Sequence, residues 1–142
     1  MTLRRTRDEQ REDTRRRLLD AARRVFVRRG FHGSSLDLVA EEAGFTKGAV
    51  YSRFDGKADL FLALLAERVA ARIAEMEAEA EVQHGTVAIG AAMGRQWDAR
   101  LRQEEAWQLA VIEFRVHAAR DAALNRRYAA LHAKTSAMSA LG

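Results

Sequence analysis

Apolar positions recur with the helical period through most of the chain. Leu18, Leu19, Ala22, Val25 and Phe26 form one stripe, which predicts a first helix from Asp13 or Thr14 to Arg29, stopped by Gly30. Leu36, Val39, Ala40 and Ala43 stand at i, i+3, i+4 and i+7 and predict a second, short helix. Ser34, with Asp37 three residues on, is its capping signal. Gly44 supplies the backbone freedom of a sharp turn, and Thr46 can N-cap a third helix. There Val50 and Phe54 share one face, leaving Lys47, Gly48, Ala49, Ser52 and Arg53 on the other. Asp55 and Gly56 break the chain. Lys57 then opens a long helix to Glu81, with Leu60, Leu64, Ile73 and Met76 on its inner face, about 37 Å long at the usual rise per residue.

Gln83, His84 and Gly85 form the next break. Two further helices are expected at residues 86–103 and 104–119. Gly90 and Gly94 in the first would admit a close neighbour, and the run W-Q-L-A-V-I-E-F-R-V-H-A in the second is apolar almost all round, the pattern of a helix buried in a bundle. Asp121 can cap a last helix carrying Leu124, Tyr128, Leu131 and Met138. The expected organisation is a basic arm at 1–12, a helix-turn-helix unit at 13–56, a long connecting helix at 57–84 and a helical body at 85–142. The arm lacks apolar periodicity. Its Arg4, Arg5 and Arg7 suit a minor groove or a phosphate strand, and equally a solvated tail.

The 142 residues contain no proline and are rich in alanine and arginine, so the fold class expected is all-α. The absence of cysteine removes disulfides, thiolate catalysis and cysteine-ligated zinc, and is compatible with a reducing cytoplasm. No apolar run approaches the roughly 20 residues that span a bilayer, so no membrane partner is expected. The first ten residues lack the apolar stretch of a secretory signal. Net charge is +4, and it is unevenly placed: residues 1–60 hold fourteen Lys or Arg against ten Asp or Glu, and the remainder ten against ten. The excess therefore lies in the segment with the short helix pair, as in a protein that meets phosphates with one end.

A short helix whose outer face is basic, small and hydroxylated fits a groove about 12 Å wide and reaches base edges there. Double-stranded DNA is thus the leading partner. Enzymatic function is not expected: His32, His84, His117 and His132 fall in different elements, no serine sits in a nucleophile turn, and no glycine loop could cradle a nucleotide. Glu113 and His117 share a helix face and could meet a metal or a polar ligand, or simply be satisfied internally by Arg120 or another group. No metal or cofactor is expected. Met93, Trp97, Trp107, Phe114, His117 and Tyr128 are candidates to line an apolar small-molecule pocket, although aromatics at helical spacing also serve as plain core. A helical protein-interaction adaptor without specific DNA binding is the alternative. The Glu75, Glu77, Glu79 and Glu81 run argues against an anionic lipid surface.

From Thr14 to Leu65 the chain resembles the TetR family of bacterial transcriptional regulators. The motifs that carry the resemblance are L-L-D-A-A-R-R-V-F followed by G-F, then S-S-L-D-L-V-A-E-E-A-G-F, T-K-G-A-V-Y-S-R-F and K-A-D-L-F. Their joint order and spacing are far more specific than any one alone. The resemblance implies a ligand-responsive regulator, more often a repressor, that binds a palindromic operator as a homodimer in the cytoplasm. It implies that Lys47, Gly48, Ala49 and Ser52 meet bases or the adjoining backbone, that Thr46, Tyr51 and Lys57 hold phosphates, and that an unnamed small-molecule effector occupies the body. Two positions depart from the family pattern: Gly56 stands where a serine is common, and Leu38 where a polar residue is usual. Family members also continue with two more helices that build the dimer interface, so the chain is expected to be a fragment.

Overall fold

A computed structural model describes residues 6–81 and 93–140, with side chains at 6–78 and 101–134. The described residues form six α-helices and no strand: α1 (Arg7–Arg29), α2 (Leu36–Ala43), α3 (Lys47–Tyr51), α4 (Lys57–Glu81), α5 (Met93–Ala119) and α6 (Ala122–Ala140). The fold is all-α.

The first helix begins earlier than its apolar stripe suggests. Thr6 is the N-cap: the Glu9 amide donates to the Thr6 hydroxyl oxygen at 3.2 Å, and the Thr6 amide donates to the Glu9 carboxylate at 3.2 Å. This reciprocal box satisfies two otherwise unpaired amides and starts an exposed turn that needs no apolar residue. Residues 7–12, expected as an arm, are therefore helical, and Arg7 lies in the first turn of α1. Arg4 and Arg5 lie outside the described residues. At its other end α1 stops at Gly30, whose φ of 73° is open mainly to glycine.

One aromatic cluster joins the first three helices to the later ones. Phe61 of α4 meets Phe26 of α1 edge-on at 4.9 Å, and stacks on Trp107 at 5.1 Å and Phe114 at 4.7 Å, both of α5. Phe31, in the α1–α2 turn, meets Phe114 edge-on at 5.4 Å. Each such pair contributes roughly 0.5–1.5 kcal/mol beyond the area it buries, so head and body share a continuous core. Ion pairs reinforce the same junctions from outside: Arg16 with Glu67, Arg68 with Glu104 at 2.7 Å, and Arg127 with Asp59 at 2.7 Å.

Two expectations for the body are corrected. Residues 93–119 form one helix rather than two with a junction near Gln103. The local run R-Q-E-E-A contains good helix formers and no breaker, and Arg68 grips Glu104 while lying over the Trp107 ring at 5.0 Å. Nor is α5 buried all round. Trp107, Ala110, Phe114 and Ala118 face the core, whereas Leu109, Ile112 and Val116 are 62%, 54% and 55% exposed, because α1, α4 and α6 cover one side only. Along α4, Leu60 and Leu64 are buried, Ile73 is half-buried and Met76 is exposed. Asp121 caps α6 by accepting from the Leu124 amide at 3.2 Å. Leu124 is buried and Tyr128 and Leu131 half-buried, while the Met138 side chain and Gly90 lie outside the described residues. None of the described helices is long and apolar enough to cross a membrane.

Candidate nucleic-acid interface

The α2–α3 unit is built from its caps inward. Ser35, not Ser34, caps α2: its hydroxyl oxygen accepts from the Leu38 amide at 3.2 Å. Ser34 is buried instead, donating to the Gly30 carbonyl at 2.6 Å. Gly44 ends α2 in the left-handed region, with φ 75° and ψ 25°, the conformation that turns the chain sharply into α3. Thr46 then caps α3 by accepting from the Ala49 amide at 3.2 Å. Val50 and Phe54 are buried against Leu36, Val39 and Ala40 in the head core, and this anchoring fixes which face of α3 looks outward.

On that outward face Lys47, Gly48, Tyr51 and Ser52 are exposed and Ala49 is half-buried. A side chain added at Gly48 would meet nothing within 4 Å, so the backbone there is open to close approach. Ser52 lies just past the end of α3 and donates back to the Ala49 carbonyl at 3.0 Å, which leaves its oxygen able to accept. The Tyr51 ring does not cover the head core. It is 52% exposed, and its hydroxyl donates to Asp37 at 3.0 Å.

Asp37 is the residue that pattern-based reasoning missed. It takes the Tyr51 hydroxyl on one carboxylate oxygen and the Lys47 ammonium, at 3.4 Å, on the other. The carboxylate accepting this bond holds the Tyr51 phenol above its ordinary value of 10.0, so the tyrosine stays a neutral donor. In the sequence it stands only as half of the capping signal with Ser34, an acidic residue in the first turn of α2 as an ordinary helix start shows.

Lys57 opens α4 beside the same surface. Its ammonium donates to the His32 carbonyl at 3.2 Å and sits 4.8 Å from the centre of the Phe31 ring. It is therefore half-buried and oriented by the α1–α2 turn. Gly56 before it has open space where a side chain would go. On the opposite flank Glu42 binds Arg28 at 2.9 Å and Arg24 at 3.1 Å, and these bonds hold its carboxyl below the ordinary 4.5. That pairing locks α2 onto α1.

Four of the six candidate pocket residues have described side chains. Trp107 and Phe114 are buried in the aromatic core, Tyr128 is half-buried against Phe114, and His117 is exposed beside Phe31 and His32. The side chains of Met93 and Trp97 lie outside the described set. Of the four, Trp107 alone lines the open groove of about 450 Å³ between α4 and α5, together with Arg68, Arg72 and Glu104. Glu113 is satisfied by backbone groups of the α1–α2 turn rather than by Arg120: it accepts from the Phe31 and His32 amides at 2.7 and 3.2 Å. No cluster of His and acidic side chains suited to a metal occurs among the described residues.

The profile of the bacterial regulatory proteins of the tetR family matches residues 18–64. The HTH-type transcriptional regulator SrpR of Pseudomonas putida is 49% identical over 57 residues, 40% of this chain and 27% of that protein. The HTH-type transcriptional activator FasR of Mycolicibacterium smegmatis is 42% identical over 59 residues, 42% of this chain and 27% of that protein. The HTH-type transcriptional repressor AcnR of Corynebacterium diphtheriae is 42% identical over 65 residues, 46% of this chain and 34% of that protein. The chain thus spans about a quarter to a third of the length of these curated relatives. In fold it matches a solved structure from Mesorhizobium loti assigned to the TetR family, with a TM-score of 0.60 and 21% identity over 89% of this chain and 62% of that one. A transcriptional regulator structure from Pseudomonas aeruginosa matches with a TM-score of 0.56 and 20% identity over 94% of this chain and 62% of that one. Motif order, cap geometry and these matches agree on residues 18–64, which are similar to the DNA-binding segment of the bacterial regulatory proteins of the tetR family.

Proposed function

We propose that this protein is a DNA-binding transcriptional regulator, acting as a repressor, whose α3 enters the major groove of a palindromic operator. The observation that carries the reading is the two-sidedness of α3. Val50 and Phe54 pin it to the core while Lys47, the open backbone at Gly48, and Ser52 stand outward. In this reading Lys47, Gly48, Ala49 and Ser52 meet base edges or the adjoining backbone, and Thr46, Tyr51 and Lys57 hold phosphates. Phosphate contacts fix register while base contacts set sequence choice.

Before docking, Asp37 holds Lys47 and Tyr51 in place. An exposed pair of this kind is worth at most about 1 kcal/mol, so Lys47 can exchange it for a DNA acceptor at little cost. A homodimer would place two heads about one helical turn of DNA apart, roughly 34–36 Å. A small-molecule effector in the body, with the α4–α5 groove beside Trp107 as its candidate site, would shift that separation through the core that head and body share. In this reading the protein works in the cytoplasm.

Selection of duplexes from a randomised pool by the 142-residue chain, followed by titration of the enriched sequence, tests the proposal. Enrichment of an inverted repeat bound more tightly than unselected DNA is expected. Recovery of unenriched sequence would favour the helical adaptor instead.

A further inference from the structure

A shallow groove of about 230 Å³ lies between the first turns of α1 and the end of α3, lined by Arg7, Gln10, Arg11, Thr14 and Arg53. It holds three guanidinium groups and no acidic side chain. Arg7 and Arg11 stand at i and i+4, with Thr14 one turn further on the same face. Arg15 continues the ladder and lines the adjoining groove together with Arg53. Like charges at this spacing destabilise a helix, and among the described residues no ion pair offsets them here.

Four other arginines of α1 differ. Arg16 pairs with Glu67 and Asp20, Arg24 and Arg28 with Glu42, and Arg17 lies over the Phe45 ring at 4.9 Å. Arg23 and Arg29, nearer the end of α1, also have no ion pair among the described residues, but the grooves that Arg53 lines are shared with Arg7, Arg11 and Arg15 alone of the α1 arginines. Arg53 stands two residues beyond Tyr51, so the groove continues the outward surface of α3. The Thr6–Glu9 box engages two of the amides at the start of α1, and the groove itself is lined by side chains: planar donor forks, which match phosphate oxygens, with the Gln10 amide and the Thr14 hydroxyl at the edge.

We infer that Arg7, Arg11 and Arg53 form a clamp for the phosphodiester backbone of duplex DNA, flanking the major groove that α3 enters. The inference rests on the reading of α3 as the DNA-entering helix. It makes the helical face that begins at Arg7 a second point of contact. A rigid face loses less freedom on binding than a tail that must order. It would fix the roll of the head on the duplex without reading bases.

The test compares the 142-residue chain with its Arg11→Gln, Arg53→Gln and double variants. Binding to a mixed-sequence duplex about three helical turns long is followed against salt, with heparin as a second polyanion. Both side chains are exposed, and thermal melting checks that the variants stay folded. Each substitution is expected to lower the slope of log K against log salt by about 0.9, which is about 8-fold in affinity at 0.1 M salt. Arg11→Lys and Arg53→Lys should restore the slope, and sequences selected from a random pool should not change. An unchanged slope on duplex DNA, or a fall seen on heparin alone, overturns the clamp while leaving the regulator reading intact. If the unaltered chain fails to bind any duplex, both readings fall together.

Discussion

One of the links between body and head rests on a single side chain. Glu113 of α5 reaches the turn after α1, where its carboxylate accepts from the Phe31 amide at 2.7 Å and the His32 amide at 3.2 Å. Hydrogen bonds to a charged group are worth about 1.5–3 kcal/mol each. The Phe31 bond is partly buried, so the amide left behind finds no ready substitute, whereas His32 is exposed and can turn to water. Glu113→Ala should therefore cost about 2–4 kcal/mol, of which the larger share comes from Phe31. For a chain of this size that lowers the melting temperature by about 10 °C. Glu113→Gln keeps one acceptor oxygen but loses the charge and turns its amide donors toward the turn, and it should fall about midway. Gly30 supplies an internal control. Its φ of 73° disfavours any side chain, and an added Cβ would stand 2.8 Å from a Glu113 carboxylate oxygen. Gly30→Ala is thus penalised twice in the unaltered chain but only once, by backbone strain, when Glu113 is already alanine. The double variant should be more stable than the sum of the single changes implies, by about 1 kcal/mol. Calorimetric melting of the four proteins measures both quantities. A Glu113→Ala melting temperature within about 1 °C of the parent, or strict additivity with Gly30→Ala, would refute the reasoning.

Asp37→Asn should release Lys47 and remove a negative charge from the surface that meets DNA. Affinity for unselected duplex should rise and its salt dependence steepen, read by fluorescence anisotropy across a salt series. Glu42 has its carboxyl depressed by Arg28 and Arg24, so the stability it confers is present above the ordinary 4.5 and is lost as pH falls through its lower folded value. Glu42→Gln should flatten the acid limb of stability against pH in that window and leave the neutral range nearly unchanged, measured by denaturant titration at each pH.

The head was legible because its signals are local. The stripes of α1 and α2, the turn glycines and the inward pair Val50 and Phe54 each report on neighbours within two helical turns. Both Gly30 and Gly44 prove to have positive φ, the reason a glycine stands at each turn. The start of α1 was misjudged for the converse reason. The Thr6–Glu9 box was present in the sequence, but a solvated turn carries no apolar period to confirm it. Adjacent serines left the choice of α2 cap open, and only tertiary burial shows that Ser34 serves the Gly30 carbonyl while Ser35 caps.

What could not be read from the sequence depends on distance. Asp37 meets residues on the next helix, and Glu113 meets a turn more than eighty residues earlier. No local pattern encodes either contact. The apolar wrap of α5 was read as full burial, yet periodicity says only that faces are apolar and not that each has a covering partner. The same limit applies to the pocket candidates. Trp107 and Phe114 are spaced for a helix face, and that spacing serves the Phe61 cluster as readily as it would serve a ligand.

The most direct test of the central claim, that α3 reads DNA sequence through its outward face, is randomised-site selection run in parallel with the parent chain, Lys47→Ala and Ser52→Ala. Each variant should relax the base preference at distinct positions of the half-site, by about 1–3 kcal/mol per lost contact, while the remaining positions persist. Identical selected motifs from all three proteins would contradict it.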